Sequence, residues 1–315
     1  MDIYSGNSGD VMVEFKKTWY KYSVDGNILT FRIASYDRSE DGFVCSAFKS
    51  MDGSGIIKEY MYYGAYEGYV DGENDKIRSI SDIDSFYLND EYLSISEEMC
   101  QNNGSSYGME DWCKRCYLLG LLMLVTKTRD IQSAIGYGCM YSGRLVIDEY
   151  GEEMGESEFE KPGALDKAGL FAGYNTTDKS VKAFGIENLW GNYPKHCSGI
   201  MYQSIFNNLG IRESQNDDFI FTSGVNSFEK QAVLYPISAV VLLNGAVIYP
   251  ITGQADIDKG WSDAVYIDIA SIKNEYFLIG GSPYLSSDKK DMGPFSLYIN
   301  YGQEPEPATT RIVSV

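Results

Sequence analysis

The chain has 315 residues, of which 45 are Asp or Glu and 26 are Lys or Arg, so its formal net charge is −19. Nucleic acids and anionic membrane surfaces select basic proteins, and this charge therefore excludes them as general partners. Hydrophobic residues make up 44% of the sequence and aromatic residues 14%, which is enough for a sizeable core and excludes global disorder.

The sequence has neither the apolar run of a membrane-spanning helix nor the pattern of a secretory signal. No run approaches the roughly 20 apolar residues of a membrane-spanning helix, and the opening MDIYSGNSGD lacks the basic start and apolar centre of a secretory signal.

Six cysteines are scattered along the chain, which is typical of free thiols in a reducing cytoplasm. Cys113 and Cys116 form a CxxC pair without a second pair or histidine pair for zinc, so we interpret them as helix packing.

Strands are predicted for the first part of the chain. Residues 9–22 carry partly alternating apolar residues and predict one strand, and Asp25-Gly26-Asn27 predicts a hairpin turn into a second strand over residues 28–35. Residues 58–69 are tyrosine-rich and strand-like. Residues 71–108 are polar and favour no particular element.

One long helix is predicted to begin near residues 105–109 and to end near Arg129. Its run LLGLLMLV is apolar nearly all round, so most of its surface should be buried. Glu110 and Asp111 are placed in the first turn, where the helix dipole favours acids. Turns are predicted for residues 131–143, and an exposed acidic loop for residues 149–160.

Residues 184–200, FGIENLWGNYPKHCSGI, form the most unusual stretch of the sequence. Its three glycines and Pro194 exclude a continuous helix and predict a packed loop. It contains the chain's one histidine, His196, next to Cys197. Side chains of adjacent residues point apart, so a Cys–His catalytic dyad is not indicated, and we interpret the stretch as scaffold.

The remaining sequence again favours strands. Residues 232–251 predict two strands with a tight turn at Asn244-Gly245, or else a buried loop. Further strands are predicted in residues 261–269, 276–279, 295–300 and 310–315. No linker or repeat divides the chain, which indicates one integrated domain.

Several short motifs occur together in a known order. They are GDVMVEF with Trp19-Tyr20-Lys21, Ala47-Phe48, residues 63–67 (YGAYE), residues 131–136 (IQSAIG), residues 185–192 (GIENLWGN) with Gly199-Ile200, Gly280-Gly281-Ser282, Gly293-Pro294-Phe295 and Arg311. On these residues the chain resembles tail-fibre and minor structural proteins of phages and prophages. Their distal domains have the C-type-lectin-like fold of the formylglycine-generating-enzyme (sulfatase-modifying factor) type.

The resemblance implies an α+β fold, loop-rich, with short antiparallel strands and one main buried helix. A single domain over residues 1–315 is expected, with N-terminal strands and loops in 1–105 and the helix and lectin-like core in 106–315. Two places depart from the family. Pro194, Lys195 and His196 stand where it usually has two tryptophans flanking an acid, and Thr309-Thr310 precede Arg311 where it usually has Gly-x-Arg.

The resemblance also bears on chemistry. The enzyme branch of this fold uses a cysteine pair after the Gly-Gly-Ser element, and thiolates are the ligands that a soft copper ion prefers. This chain has no cysteine after Cys197. We therefore expect no enzyme activity, no catalytic residues and no catalytic metal. The acidic residues 149–160 leave a structural calcium ion open, although they lack the spacing of a dedicated calcium loop.

Recognition is the expected function, since loops on a rigid scaffold commonly carry binding. In lectin-like proteins that resemble this one, the C-terminal region displays the ligand-binding face. The expected ligand-binding residues are Tyr284, Ser286, Asp288, Lys289, Tyr298, Asn300 and Tyr301.

The expected protein is a non-enzymatic adhesin of the virion, made in the host cytoplasm. Its partners would be a host-surface glycan or protein and other virion proteins, with neither nucleic acid nor membrane insertion. A homo-oligomer is expected; fibres are commonly trimers, but this chain has no heptad stalk of its own. The alternatives are a capsid-attached head fibre or decoration protein, a bacterial retroelement-diversified variable protein, and a formylglycine-type oxidase.

Overall fold

The structure is a computed structural model, and it describes residues 9–26, 28–83, 93–139, 160–176, 179–193, 195–203, 208–212, 217–223, 232–253, 265–267, 274–279, 293–299 and 309–315. Strands dominate, most pairs are antiparallel, and helices are few. This confirms the predicted mixture of helices and mainly antiparallel strands.

The first half of the chain contributes β1 (Met12–Lys16), β2 (Trp19–Asp25), β3 (Ile28–Ala34), β4 (Tyr60–Gly64), β5 (Tyr69–Asp71), β6 (Lys76–Arg78), α1 (Leu93–Gln101), β7 (Tyr107–Met109), α2 (Trp112–Thr126) and α3 (Ile131–Ile135). The second half contributes β8 (Lys182–Ala183), β9 (Ile186–Glu187), β10 (Lys195–Gln203), β11 (Asn208–Ile211), β12 (Ile220–Ser223), β13 (Ala232–Leu242), β14 (Val247–Gly253), β15 (Val265–Ile267), β16 (Asn274–Ile279), β17 (Leu297–Ile299) and β18 (Ile312–Ser314).

A four-stranded antiparallel sheet joins the two ends of the described chain, in the order β1-β4-β18-β7. Val313 pairs with Tyr63 on one side and with Gly108 on the other. The predicted hairpin between β2 and β3 is confirmed. The single strand predicted for residues 9–22 is wrong, because the chain changes partners there: β1 pairs with β4 and β2 with β3.

The main helix begins later than predicted. The chain before it forms β7, which pairs with β18, and Asp111 then caps α2 by accepting a hydrogen bond from Lys114 N at 2.8 Å. Glu110 and Asp111 therefore precede the helix instead of lying in its first turn. The prediction of turns over residues 131–143 is also wrong in part, because residues 131–135 form α3.

The second sheet has eight strands, in the order β12-β11-β10-β16-β17-β15-β13-β14, with β15 and β17 as its parallel pair. The strand pair predicted for residues 232–251 is confirmed as β13 and β14. Proline cannot donate to a strand ladder. Pro236 accordingly lies at a register shift of β13, and Pro250 lies on β14, an end strand of this sheet.

Helix α2 is hydrogen-bonded to the second sheet and to the β2–β3 hairpin. Trp112 Nε1 donates to Ile248 O at 3.0 Å, and Tyr22 Oη donates to Cys116 O at 2.6 Å. One core cluster includes residues of α2, of the first sheet and of the second sheet. The assignment of the whole chain to a single domain stays a prediction. Within the described residues, no helix is long and apolar enough to cross a membrane.

Gly120 of α2 tests the packing of the β2–β3 hairpin on the helix. A methyl group at this position would lie 2.4 Å from Phe31 Cε2. Alanine favours a helix over glycine by about 1 kcal/mol, but overpacking a core costs about 1–3 kcal/mol. We expect Gly120→Ala to lower the free energy of unfolding, measured by urea titration.

Gly169→Ala is the matched control, because a methyl group there meets open space. Its free energy of unfolding should stay within about 0.5 kcal/mol of the wild type. Higher stability in Gly120→Ala than in the wild type would contradict the close packing of Phe31.

Candidate binding site and the buried network at its base

One of the seven predicted ligand-binding residues lies within the described residues. Tyr298 is on β17, where it pairs with Tyr266 of β15 and Leu278 of β16. The strand predicted for residues 295–300 is confirmed over residues 297–299. The other six predicted residues, Tyr284, Ser286, Asp288, Lys289, Asn300 and Tyr301, lie outside the described residues.

The segments that carry those six residues are attached to one place in the sheet. Segment 280–292 follows Ile279, and segment 300–308 precedes Thr309. Lys195 pairs with Ile279 and forms a bridge with Thr309. Neighbouring strands lie about 5 Å apart, so Ile279 and Thr309, which adjoin the two segments in the sequence, lie within about 10 Å of each other.

We call this pairing of Lys195 with Ile279 and Thr309 the junction. The Lys195 side chain is fully buried there. Its Nζ forms an ion pair with Glu67 Oε1 at 2.8 Å, and donates to Gly191 O at 2.9 Å and Tyr193 O at 2.6 Å. Burial lowers the pKa of Lys195 to about 8, although the Glu67 carboxylate opposes this shift. The junction is therefore held by a buried charge with a full set of acceptors.

Glu67 also binds two asparagines of residues 184–200. Asn188 Nδ2 donates to Glu67 Oε2 at 3.3 Å, and Asn192 Nδ2 donates to the same oxygen. Both asparagines have left-handed backbones, with φ of 52° and 56°, which asparagine tolerates better than most residues. One carboxylate thus fixes the turns of this stretch.

Two buried arginines extend these contacts to β4, to β9 and to helix α2. Arg311 donates to Gly64 O at 2.7 Å and Glu187 O at 2.7 Å. Arg115 of α2 donates to Glu110 Oε1 at 3.0 Å and to Leu189 O at 2.6 Å. We call Glu67, Asn188, Asn192, Lys195, Arg115, Glu110 and Arg311 the buried network.

The nucleophilic and acid–base groups near this network are shielded from solvent. His196 is buried, its Nδ1 lies 3.1 Å from Ser96 Oγ, and burial lowers its pKa to about 4. Burial raises the pKa of the Cys197 and Cys116 thiols well above the ordinary value. These groups are neutral at pH 7 and are placed for packing.

Metal coordination has no support in the described part of the chain. No group of three or more His, Cys, Asp or Glu side chains is arranged there to hold an ion. The acidic residues 149–159, for which a structural calcium was left open, lie outside the described residues. Glu160 accepts from Lys179 Nζ at 3.0 Å and from Ser180 N at 2.5 Å.

The sequence does not predict the contacts of the buried network. Glu67, Asn188, Asn192 and Arg311 stand out in it as motif residues, but it indicates no partners for them. Lys195 was noticed only as a departure from the family's tryptophans. The available signal was a lysine at a position expected to be buried, since a buried lysine needs an anionic partner.

Comparison with known proteins does not assign the chain to a family. No protein-family model matches it, and no curated protein matches it in sequence. Its function is therefore inferred from its own residues and from the resemblance of its motifs.

Arg311 tests the energetic weight of the buried network. Removing its guanidinium leaves buried carbonyls without donors and buried carboxylates without a neighbouring cation. Breaking a buried ionic network by removing one member costs about 3–5 kcal/mol. We expect Arg311→Leu to lower the free energy of unfolding by this amount in urea titrations.

Arg32→Leu on the exposed face of β3 is the control, and should change stability by no more than about 0.5 kcal/mol. If Arg311→Leu were as mild as this control, the network would not stabilise the fold.

His196 predicts a pH dependence of stability. The folded state keeps this imidazole neutral down to a pKa of about 4, whereas the unfolded chain protonates it near its ordinary value of 6.5. Stability from this group is complete above pH 6.5 and is lost as the pH falls towards 4. The difference corresponds to about 3 kcal/mol.

The measurement is the free energy of unfolding from pH 7 to pH 4 for the wild type and His196→Gln. The wild type should lose about 3 kcal/mol more than the variant over this range. Glu187, whose pKa burial raises to about 7, changes stability in the opposite sense but equally in both proteins. Parallel curves would show that His196 is not buried in its neutral form.

Proposed function

We propose that this chain is a non-enzymatic structural adhesin of a phage particle, a tail-fibre or receptor-binding protein that binds a host-surface glycan or protein. Its fold is proposed to be the C-type-lectin-like fold of the formylglycine-generating-enzyme type. The observation that carries the proposal is the junction at Lys195. Both segments expected to bind the receptor are attached there, above a buried network that fixes the backbone.

The composition of these segments supports recognition. Residues 283–291 and 300–309 contain tyrosine, serine, asparagine and glycine, which give adaptable contacts at low entropic cost. Binding surfaces are typically variable segments held by a rigid scaffold. Here the scaffold is the eight-stranded sheet, in which β17 joins the two segments and has a paired strand on each side.

The chemistry of the described residues favours binding over catalysis. The chain's one histidine is buried and neutral, and the described thiols of α2 and β10 are buried. The sequence has no cysteine after Cys197, where the enzyme branch of the resembled fold has its pair. A copper-dependent oxidase would need such thiolates.

Binding is tested with purified full-length chain on panels of bacterial cells and surface glycans. We expect saturable binding to the host, weakened at least about tenfold when Tyr284, Asp288 and Tyr301 are replaced together by alanine, because hot-spot residues dominate interfaces. The matched control replaces three exposed residues of the first half, Tyr36, Ile56 and Glu40, and should bind as the wild type does.

Enzyme activity is tested on the same preparation with copper. The proposal expects no stoichiometric copper binding and no oxidation of peptide cysteine. Tight copper binding with turnover of a cysteine peptide would overturn the adhesin proposal.

Immunogold labelling of virions separates a tail fibre from a head fibre or decoration protein, since the label would lie on the tail in the first case and on the capsid in the second.

A further inference from the structure

Three buried side chains of the network carry the groups that are needed to form an amide bond between two side chains. Lys195 supplies an amine, Asn192 a carboxamide and Glu67 a carboxylic acid, and they are 0%, 2% and 1% exposed. Glu67 Oε1 lies 2.8 Å from Lys195 Nζ, and Glu67 Oε2 accepts a hydrogen bond from Asn192 Nδ2. One carboxyl group therefore contacts both the nucleophile and the leaving nitrogen of an amide exchange.

The lysine side chain turns back towards the backbone of residues 191–193. Lys195 Nζ donates to the carbonyl oxygens of Gly191 and Tyr193, which belong to the residues on either side of Asn192. Asn192 Oδ1 is buried and accepts no hydrogen bond from the described residues. The amide nitrogen and the lysine amine thus share one carboxyl group, that of Glu67.

We propose that Lys195 and Asn192 become joined by an isopeptide bond, with Glu67 carrying the protons. Glu67 Oε1 takes a proton from the Lys195 ammonium, and the free amine attacks Asn192 Cγ. The Nζ–Cγ bond forms, the Cγ–Nδ2 bond breaks, and Glu67 returns its proton to the departing nitrogen, which leaves as ammonia. The second proton of the attacking nitrogen passes to Glu67, which ends as the neutral acid. The products are a secondary amide, ammonia and a protonated Glu67, so atoms and charge balance without any oxidant or co-reactant.

The surroundings favour this reaction. A buried site disfavours the charged ammonium relative to the free amine, and the pKa of Lys195 is lowered to about 8 for this reason. The reaction also removes a buried ammonium, whose burial costs free energy.

Asn188 is the competing acceptor, and the contacts favour Asn192. Asn188 Nδ2 is 3.3 Å from Glu67 Oε2, and Asn188 Oδ1 accepts from Val181 N at 3.4 Å. Its amide is therefore held at both ends. The Lys195 amine lies between carbonyls that flank residue 192, so Asn192 is the assigned partner.

The bond would join residues three positions apart and would close only a short loop. Its entropic effect on global stability is therefore small. Its local effect is to fix the start of β10, where the two expected receptor-binding segments are attached. The inference rests on the contacts of the triad and stands whether or not the protein is an adhesin.

The test is the intact mass of the purified full-length chain in denaturant. We expect the wild type to be lighter than its sequence by one ammonia, and Lys195→Arg and Asn192→Ala to have their full sequence masses. Glu67→Gln should fold more weakly and form the bond slowly or not at all. The wild-type mass decides the proposal even if the variants fail to fold: a wild type at its full sequence mass overturns it.

A succinimide would also release ammonia, most readily at Asn103 or Asn244, each of which precedes glycine. Tandem mass spectrometry of protease digests separates the two products. The proposal expects a peptide cyclised between the side chains of Asn192 and Lys195, and this ring survives hydroxylamine. A succinimide, or a branch from Lys195 to Asn188, would overturn the assignment.

Discussion

The contact on which the rest of the structure depends is the one between Glu67 and Lys195. It joins the turn after β4 to the start of β10, two parts of the chain more than a hundred residues apart. Both groups are completely buried, and burying charges is costly unless each is paired and hydrogen-bonded. Glu67 meets this requirement with Lys195 and two asparagines, and Lys195 with two further carbonyls.

The arginines connect this contact to the first sheet and to α2. Arg311 immediately precedes β18, so its hydrogen bonds to Gly64 O and Glu187 O tie the last described strand to β4 and β9. Thr309, two residues earlier, donates to Gly68 O at 3.2 Å. The network therefore fixes the point where segment 300–308 rejoins the scaffold.

Local patterns predicted the elements that depend on nearby residues. The β2–β3 hairpin follows from its Asp-Gly turn, and the β13–β14 pair from two apolar runs around Asn244. Helix α2 was predicted from its apolar run, but its start was not. Residues 107–109 pair with β18, and a partner that lies two hundred residues away leaves no local pattern. Helix α1 lies in a polar segment whose sequence pattern favours no particular element.

The candidate site, too, can be predicted from the sequence only where it depends on nearby residues. Composition predicts that residues 283–291 and 300–309 bind a ligand, and Tyr298 lies on the predicted strand between them. The ion pair beneath them was not predictable, because Glu67 and Lys195 gain meaning only when the fold brings them together. In the structure Lys195 is buried, and its ammonium is paired with the Glu67 carboxylate.

The central proposal is that segments 280–292 and 300–308 bind the receptor, and that the buried network keeps its structure when they do. Hydrogen–deuterium exchange of the full chain, with and without envelope from a bacterium that it binds, tests this most directly. The account predicts new protection in these two segments, with unchanged exchange in β10 and at Arg311. Protection confined to the first half of the chain, or loss of protection in β10, would contradict it.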